Sequence, residues 1–180
     1  MNGANVLVWT KVSSWALMLI ALLAPAWAAD DSFQVGPFRF SVPEGWERRA
    51  PSSPMRQAEL RAPDGQGEAA FFFFKPGDGG SPQDNITRWL GQVTDRKEEK
   101  VETERQGNHQ LTFVRARGTY ASGMPGGPLT PLPDTLLLGA ILESPAGNVF
   151  IRMTGPYQSM AKAEETFRAM VRAALTPSDA

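Results

Sequence analysis

Ser122 and His109 are the side chains with the intrinsic chemistry for nucleophilic catalysis: a hydroxyl to attack and an imidazole to take its proton. Ser122 lies in Ala-Ser-Gly, without the flanking glycine spacing of a nucleophile elbow. His109 is the only histidine and follows Gly107-Asn108, which reads as a solvated residue at the mouth of a turn. Triads are defined in space, so one reading is a hydrolase of envelope material built from Ser122, His109 and a carboxylate. It requires the two to share a cleft. One histidine and no cysteine assemble neither a zinc site nor a cysteine nucleophile, and no metal or cofactor is indicated.

Two glycine patterns imitate nucleotide loops. Gly65-x-Gly67-x-x-Ala70 leads into Phe71-Phe-Phe-Phe74, a strand, whereas a dinucleotide fingerprint opens a helix. Gly77-Asp-Gly-Gly-Ser81 does join a strand to a helix start, where free N–H groups can hold an anion. Asp78 and Asp84 repel one there, Pro82 removes a donor, and the lysine of a nucleotide loop is missing. The segment reads as a hinge and a cap. Asn85-Ile-Thr87 matches a glycosylation sequon but falls inside a predicted helix, where Asn85 lies beside the apolar face and is placed to bond a neighbouring strand or loop.

Residues 121–134 hold four prolines and three glycines, a composition that predicts a long ordered loop. With the strand that leads into it, this loop offers a candidate partner-binding surface: Arg115, Arg117, Tyr120, Met124, Leu129 and Leu132. The competing reading is a loop packed on its own domain, with the arginines paired to carboxylates such as Glu143. A third function class, a small-molecule or lipid carrier, requires a cavity between a sheet and a helix.

The stretch from Glu68 to Val93 organises the elements that must position these residues. Ala69 to Phe74 is a short apolar run that predicts a strand buried on both faces, four aromatic rings sheltered by separate helical layers. Ser81 supplies an N-cap oxygen, Pro82 takes the first helical position and Asp84 lies in the electropositive first turn. Ile86, Trp89, Leu90 and Val93 then define one apolar face, which a sheet must cover.

Around that unit, Phe38, Phe40 and Val42, then Ala58, Leu60 and Ala62, alternate with polar residues as half-buried strands do. Trp46 is expected to fold back onto the core edge. Arg96-Lys-Glu-Glu-Lys100 reads as a solvated surface before a short strand near Val101 to Arg105. Leu111 to Tyr120 is a long strand on which Leu111 and Phe113 share a face with Arg115 and Arg117, opposite Val114, Ala116 and Gly118. Leu136 to Leu142 and Val149 to Met153 form a hairpin. The last helix is expected from near Ser159 to Leu175, stopped by Thr176-Pro177, with Glu164 and Glu165 suiting its N-terminal half. Hairpin-linked strands with two long helices indicate an α+β fold, an antiparallel sheet sandwiched by helices.

Residues 1–28 read as a signal peptide: Lys11, an apolar core from Trp15 to Leu23, and Ala26-Trp27-Ala28 before cleavage near Ala28 or Ala29. The apolar core is shorter than the roughly 20 residues a span needs, and Pro25 breaks it. No span is therefore expected after the leader is removed. The protein is then periplasmic or extracellular, and without cysteine it must hold itself together by burial alone; the remaining 29–180 suffice for one such domain. With 18 basic and 19 acidic side chains there is no basic excess, which argues against a nucleic-acid partner.

The succession Val42-Pro43-x-Gly45-Trp46, Met55-Arg56-x-Ala58-x-Leu60, the phenylalanine strand, a helix with Asn85 and Arg88-Trp89, several strands and a C-terminal helix resembles the PsbP-like superfamily over most of the chain after the leader. The resemblance implies an α/β/α sandwich, generally without enzymatic activity, and carries over no site, since branches of that group bind unrelated partners. The loop at 121–134 departs from its pattern. The combined expectation is an exported, non-catalytic binding or accessory domain whose partner is a protein or other envelope component.

Overall fold

Successive residues of each strand point to opposite faces of one large antiparallel sheet, so apolar residues two apart share a face. In the computed structural model, which describes residues 31–123 and 128–176, the elements are β1 (Ser32–Val35), β2 (Phe38–Ser41), β3 (Glu47–Arg49), β4 (Ala58–Arg61), β5 (Glu68–Phe74), α1 (Pro82–Gly91), β6 (Val93–Gln106), β7 (His109–Ser122), β8 (Thr130–Ser144), β9 (Gly147–Pro156) and α2 (Tyr157–Ala173). The leader expected at 1–28 with its cleavage site, Met124 and Pro177 lie outside the described residues. Seven strands pair antiparallel in the order β3-β4-β5-β9-β8-β7-β6, and β1 and β2 form a separate hairpin. The fold is α+β.

Register shows how the two cores arise. Phe71 faces Ile151, which faces Ala140, which faces Phe113; one residue along, Phe72, Phe150, Ile141 and Thr112 form the parallel row. Paired residues point the same way, so the first row enters one core and the second row the other. The first core is closed by Met160, Phe167, Met170 and Val171 of α2 and by Phe33, Val35, Phe38 and Phe40 of the hairpin; Trp46 is also buried in it. The second is closed by Ile86 and Trp89 of α1.

The phenylalanine strand corrects the expectation of four sheltered rings. Ala69, Ala70 and Phe71 are buried, whereas Phe72, Phe73 and Phe74 are only half-buried. Nor are both covers over its rings helical. Phe71 packs edge-on to Phe33 and Phe40, with centroids 5.1 and 5.2 Å away, so the β1–β2 hairpin is its lid. Alternation in Ser32–Val35 signals β1, but a four-residue strand directly after the expected leader was not part of the expected order.

Helix α1 starts where its sequence dictates. Ser81 accepts from the Asp84 N–H while the Asp84 carboxylate accepts from the Ser81 N–H, a reciprocal capping box, and Pro82 follows. Trp89 lies so close to the sheet that a Cβ at Gly139 would come within 2.6 Å of its ring; only glycine leaves room there. Helix α2 begins at Tyr157, earlier than expected, with no side-chain cap and no acid in its first turn. Glu164 therefore sits too far along to offset the macrodipole, and serves instead as an ion-pair partner of Arg115.

Two stretches that read as irregular are strands. The charge run 96–100 belongs to the 14-residue edge strand β6, bulged between Thr94 and Glu98 with Asp95 at φ 49°. Charged side chains on an exposed edge discourage pairing with other chains, so they fit a strand as well as a solvated loop. Both flanks of 121–134 are ladder, up to Ser122 and from Thr130 onward: Tyr120 pairs with Leu132, Ala121 with Pro131 and Ser122 with Thr130. Prolines are tolerated because β9 ends at the Thr135–Pro156 pair, leaving this part of β8 a neighbour on one side only.

On β4, Glu59 is 3% exposed on a face expected to be polar and open. Its carboxylate accepts from the Ser52 N–H (2.6 Å), the Ser52 hydroxyl (2.7 Å) and Arg56 (2.8 Å). Burial alone would raise its pKa, but these bonds together outweigh it and hold the group below the usual carboxylate range. The stabilisation from this site is therefore present above the ordinary value near 4.5 and disappears as pH falls through the lower folded-state value. Urea midpoints of the parent should drop more steeply below pH 4.5 than those of Glu59→Gln, the two curves converging in acid; parallel curves would contradict the assignment.

Candidate functional site

Ser122 and His109 occupy opposite ends of one strand, β7, on the order of 40 Å apart at about 3.3 Å per residue. An extended strand cannot fold its two ends into one cleft, so the serine-histidine arrangement is not formed. His109 is also less solvated than a turn residue: its ring meets Phe38 edge-on at 5.3 Å, and its buried Nδ1 has no hydrogen-bond partner among the described residues. The turn before it is tight, Gln106 pairing with His109 across Gly107 at φ 60°.

The five described residues of the expected binding surface separate. Arg115 and Arg117 lie beneath the N-terminal half of α2 in a closed network. Arg115 bonds Glu98 and, at 3.1 Å, Glu164; Arg117 bonds Glu98 at 3.1 Å and Asp134 at 2.8 Å, with its guanidinium 3.4 Å above the Tyr157 ring. Hydrogen bonds from Arg115 and then Arg117 hold Glu98 below the usual carboxylate range. Glu143 is not their partner. It lies opposite Gln110, farther back on β7, and accepts from it at 2.7 Å. Arg168 and Arg172 extend the network to Glu102 and Glu104 on β6. These charges fasten α2 to the edge of the sheet.

Tyr120 is buried on the α1 face with Val93 and Leu137. Leu129 and Leu132 are the members left on the surface, 60% and 44% exposed. They sit where the β7–β8 ribbon runs past the end of β9. At its base a cleft of about 290 Å³ opens between Tyr120, Leu132, Pro133 and Pro156. Met124, in the same connection, lies outside the described residues.

A second concavity was not foreseen. Between α1, the Met55 loop and the β5–β9 floor lies a cleft of about 420 Å³, within the usual range for small-molecule sites. Phe72, Phe74, Trp89 and Phe150 supply aromatic walls, and Met55, 64% exposed, stands at the mouth. Phe150 lies edge-on to both Phe74 and Trp89, at 5.9 and 6.3 Å. The polar rim comes from one side of the helix, Asn85 and Arg88 at i and i+3, and from Arg152 of β9. Buried Asn85 donates to the Gly79 and Ser81 carbonyls at 3.0 Å, tying the glycine hinge to the helix, and its Oδ1 accepts from Arg88. Arg152, rising from the floor, donates to Gln92 at 3.0 Å. The sequence signal for this cleft was a lone arginine inside the apolar run Val149 to Met153.

Among the described residues no group of three or more histidine or acidic side chains could hold a metal ion, and no helix is long and apolar enough to cross a membrane. No family model matches the chain. No curated protein matches it either. Among solved structures it is similar to cyanobacterial PsbP (CyanoP) from Synechocystis sp. PCC 6803, with 13% identity over 76% of this chain and 85% of that one and a TM-score of 0.52. A protein of unknown function from Pseudomonas aeruginosa aligns at 11% identity over 83% and 97% of the two chains, with a TM-score of 0.43. The likeness to PsbP is one of fold: the antiparallel sheet with its helices is PsbP-like.

Proposed function

We propose that this chain is an exported, non-catalytic binding or accessory domain, acting in the periplasm or outside the cell, and that it engages a protein or other envelope component through the end of its β7–β8 ribbon. The observation that carries this reading is the pair of exposed leucines at the ribbon end, Leu132 within the paired ribbon and Leu129 one residue beyond its last pair, Ser122–Thr130. Apolar side chains on a prearranged support lose little entropy on association. The leader-like segment at 1–28 accounts for export, and the near balance of charge disfavours nucleic acid.

Replacing both Leu129 and Leu132 with Ser should leave thermal stability within about 0.5 kcal/mol of the parent, as exposed substitutions do. Recovery of the envelope partner by affinity capture should fall at least tenfold. Equal recovery by parent and double variant would retire the ribbon as the binding element. Mass measurement of the exported product is expected to place its first residue at Ala29 or Asp30; an intact Met1 would refute export by cleavage.

A further inference from the structure

We infer that the cleft between α1 and the β5–β9 floor is a binding site for a small organic carboxylate with an apolar body. The body of such a ligand fits the walls: Phe72, Phe74, Trp89 and Phe150 line about 420 Å³ with little polar surface. Its charge is specified by the rim. Arg88 and Arg152 both line the cleft, and among the described residues neither forms an ion pair; their hydrogen bonds run to neutral amide oxygens of Asn85 and Gln92. A guanidinium has five N–H donors, so each retains capacity for a carboxylate.

Among the described residues, exposed Arg88 shares its lack of an ion pair with exposed Arg48, Arg61 and Arg105, so the informative contrast is between Arg152 and the other half-buried arginines. Arg56, Arg115, Arg117, Arg168 and Arg172 are all matched to carboxylates within 4 Å. The acids near the cleft are committed elsewhere: Asp84 to Ser81, and Glu59 and Glu68 to Arg56. Asp78, in the glycine hinge, does not line it. Two positive charges at the rim of an aromatic cleft, without internal neutralisation, complement an anionic amphiphile and reject a cationic one. The site shares no residue with the ribbon end, so either proposal survives failure of the other.

Decanoate below its micelle concentration is the probe, with decanol as its uncharged counterpart, titrated calorimetrically into the full chain. Decanoate is expected to bind at least tenfold more tightly than decanol and to shift the amides of Gly79, Gly80 and Arg88. The Arg88→Gln/Arg152→Gln double variant should lose that preference while keeping its affinity for decanol, which shows that the cleft still folds. Met55→Glu, an exposed change at the mouth, should weaken decanoate alone. Absence of decanoate binding, equal affinity for decanol, an unchanged double variant or amide shifts confined to another face would each overturn the assignment.

Discussion

Phe71→Ala unfolds at much lower denaturant than the parent, a loss of about 3–5 kcal/mol, while Phe73→Ala, two residues along on the same face, costs about 1–2 kcal/mol. The difference comes from their surroundings. Phe71 is fully buried, with Ile151 opposite it across the ladder and the rings of Phe33 and Phe40 edge-on above. Removing it leaves a cavity that two strands and a hairpin cannot all collapse into, and Phe33 and Phe40 of the hairpin both lose a ring contact. Phe73 is half-buried over the β1–β2 turn, within 2.3 Å of where a Gly36 side chain would begin, and solvent already reaches part of the ring. Equilibrium urea unfolding decides between the two environments. Equal losses at both positions would restore the uniformly sheltered aromatic strand and contradict the burial gradient described above.

Trp89→Ala should cost a further independent 3–5 kcal/mol or so, because its ring, 3% exposed, is the principal contact of α1 with the sheet. The sharper expectation concerns its neighbour. Gly139→Ala alone places a Cβ 2.6 Å from the indole, against a ring that cannot withdraw without lifting the helix, and should destabilise by about 1–3 kcal/mol. In the Trp89→Ala background the indole clash is gone and only the 3.2 Å approach to the Val114 Cβ remains, so the cost of the methyl should fall sharply. A double-mutant cycle thus predicts an interaction energy well above the ~0.5 kcal/mol of independent sites. Additive losses would mean that α1 is not seated on Gly139.

Much of this architecture was legible because it depends on neighbours in sequence. Ser81, Pro82 and Asp84 start a helix by local hydrogen bonding wherever they stand, and alternation in Phe38–Phe40 or Leu111–Phe113 declares a half-buried strand before any partner is known. Where the reading went astray, distant residues held the deciding term. Pro131 and Pro133 argue for a loop until β9 is seen to stop at Pro156, so that no ladder bond is required of them on that side. The charges of 96–100 look solvated until β6 proves to be an edge whose acids face arginines on β7 and α2.

The candidate sites divide along the same line. Composition alone excluded a cysteine nucleophile, and the α+β class, the start of α1 and the two faces of β7 followed from spacing, because propensity, capping and periodicity act over a few residues; Val93, expected on the helix face, instead opens β6. Only the tertiary structure could separate Ser122 from His109, give Arg115 and Arg117 to Glu98, Glu164 and Asp134, and gather Met55, Phe72, Arg88 and Arg152 around one cleft. Those outcomes rest on register between strands far apart in the chain, and register is set by the joint burial of many side chains rather than by any segment's own pattern.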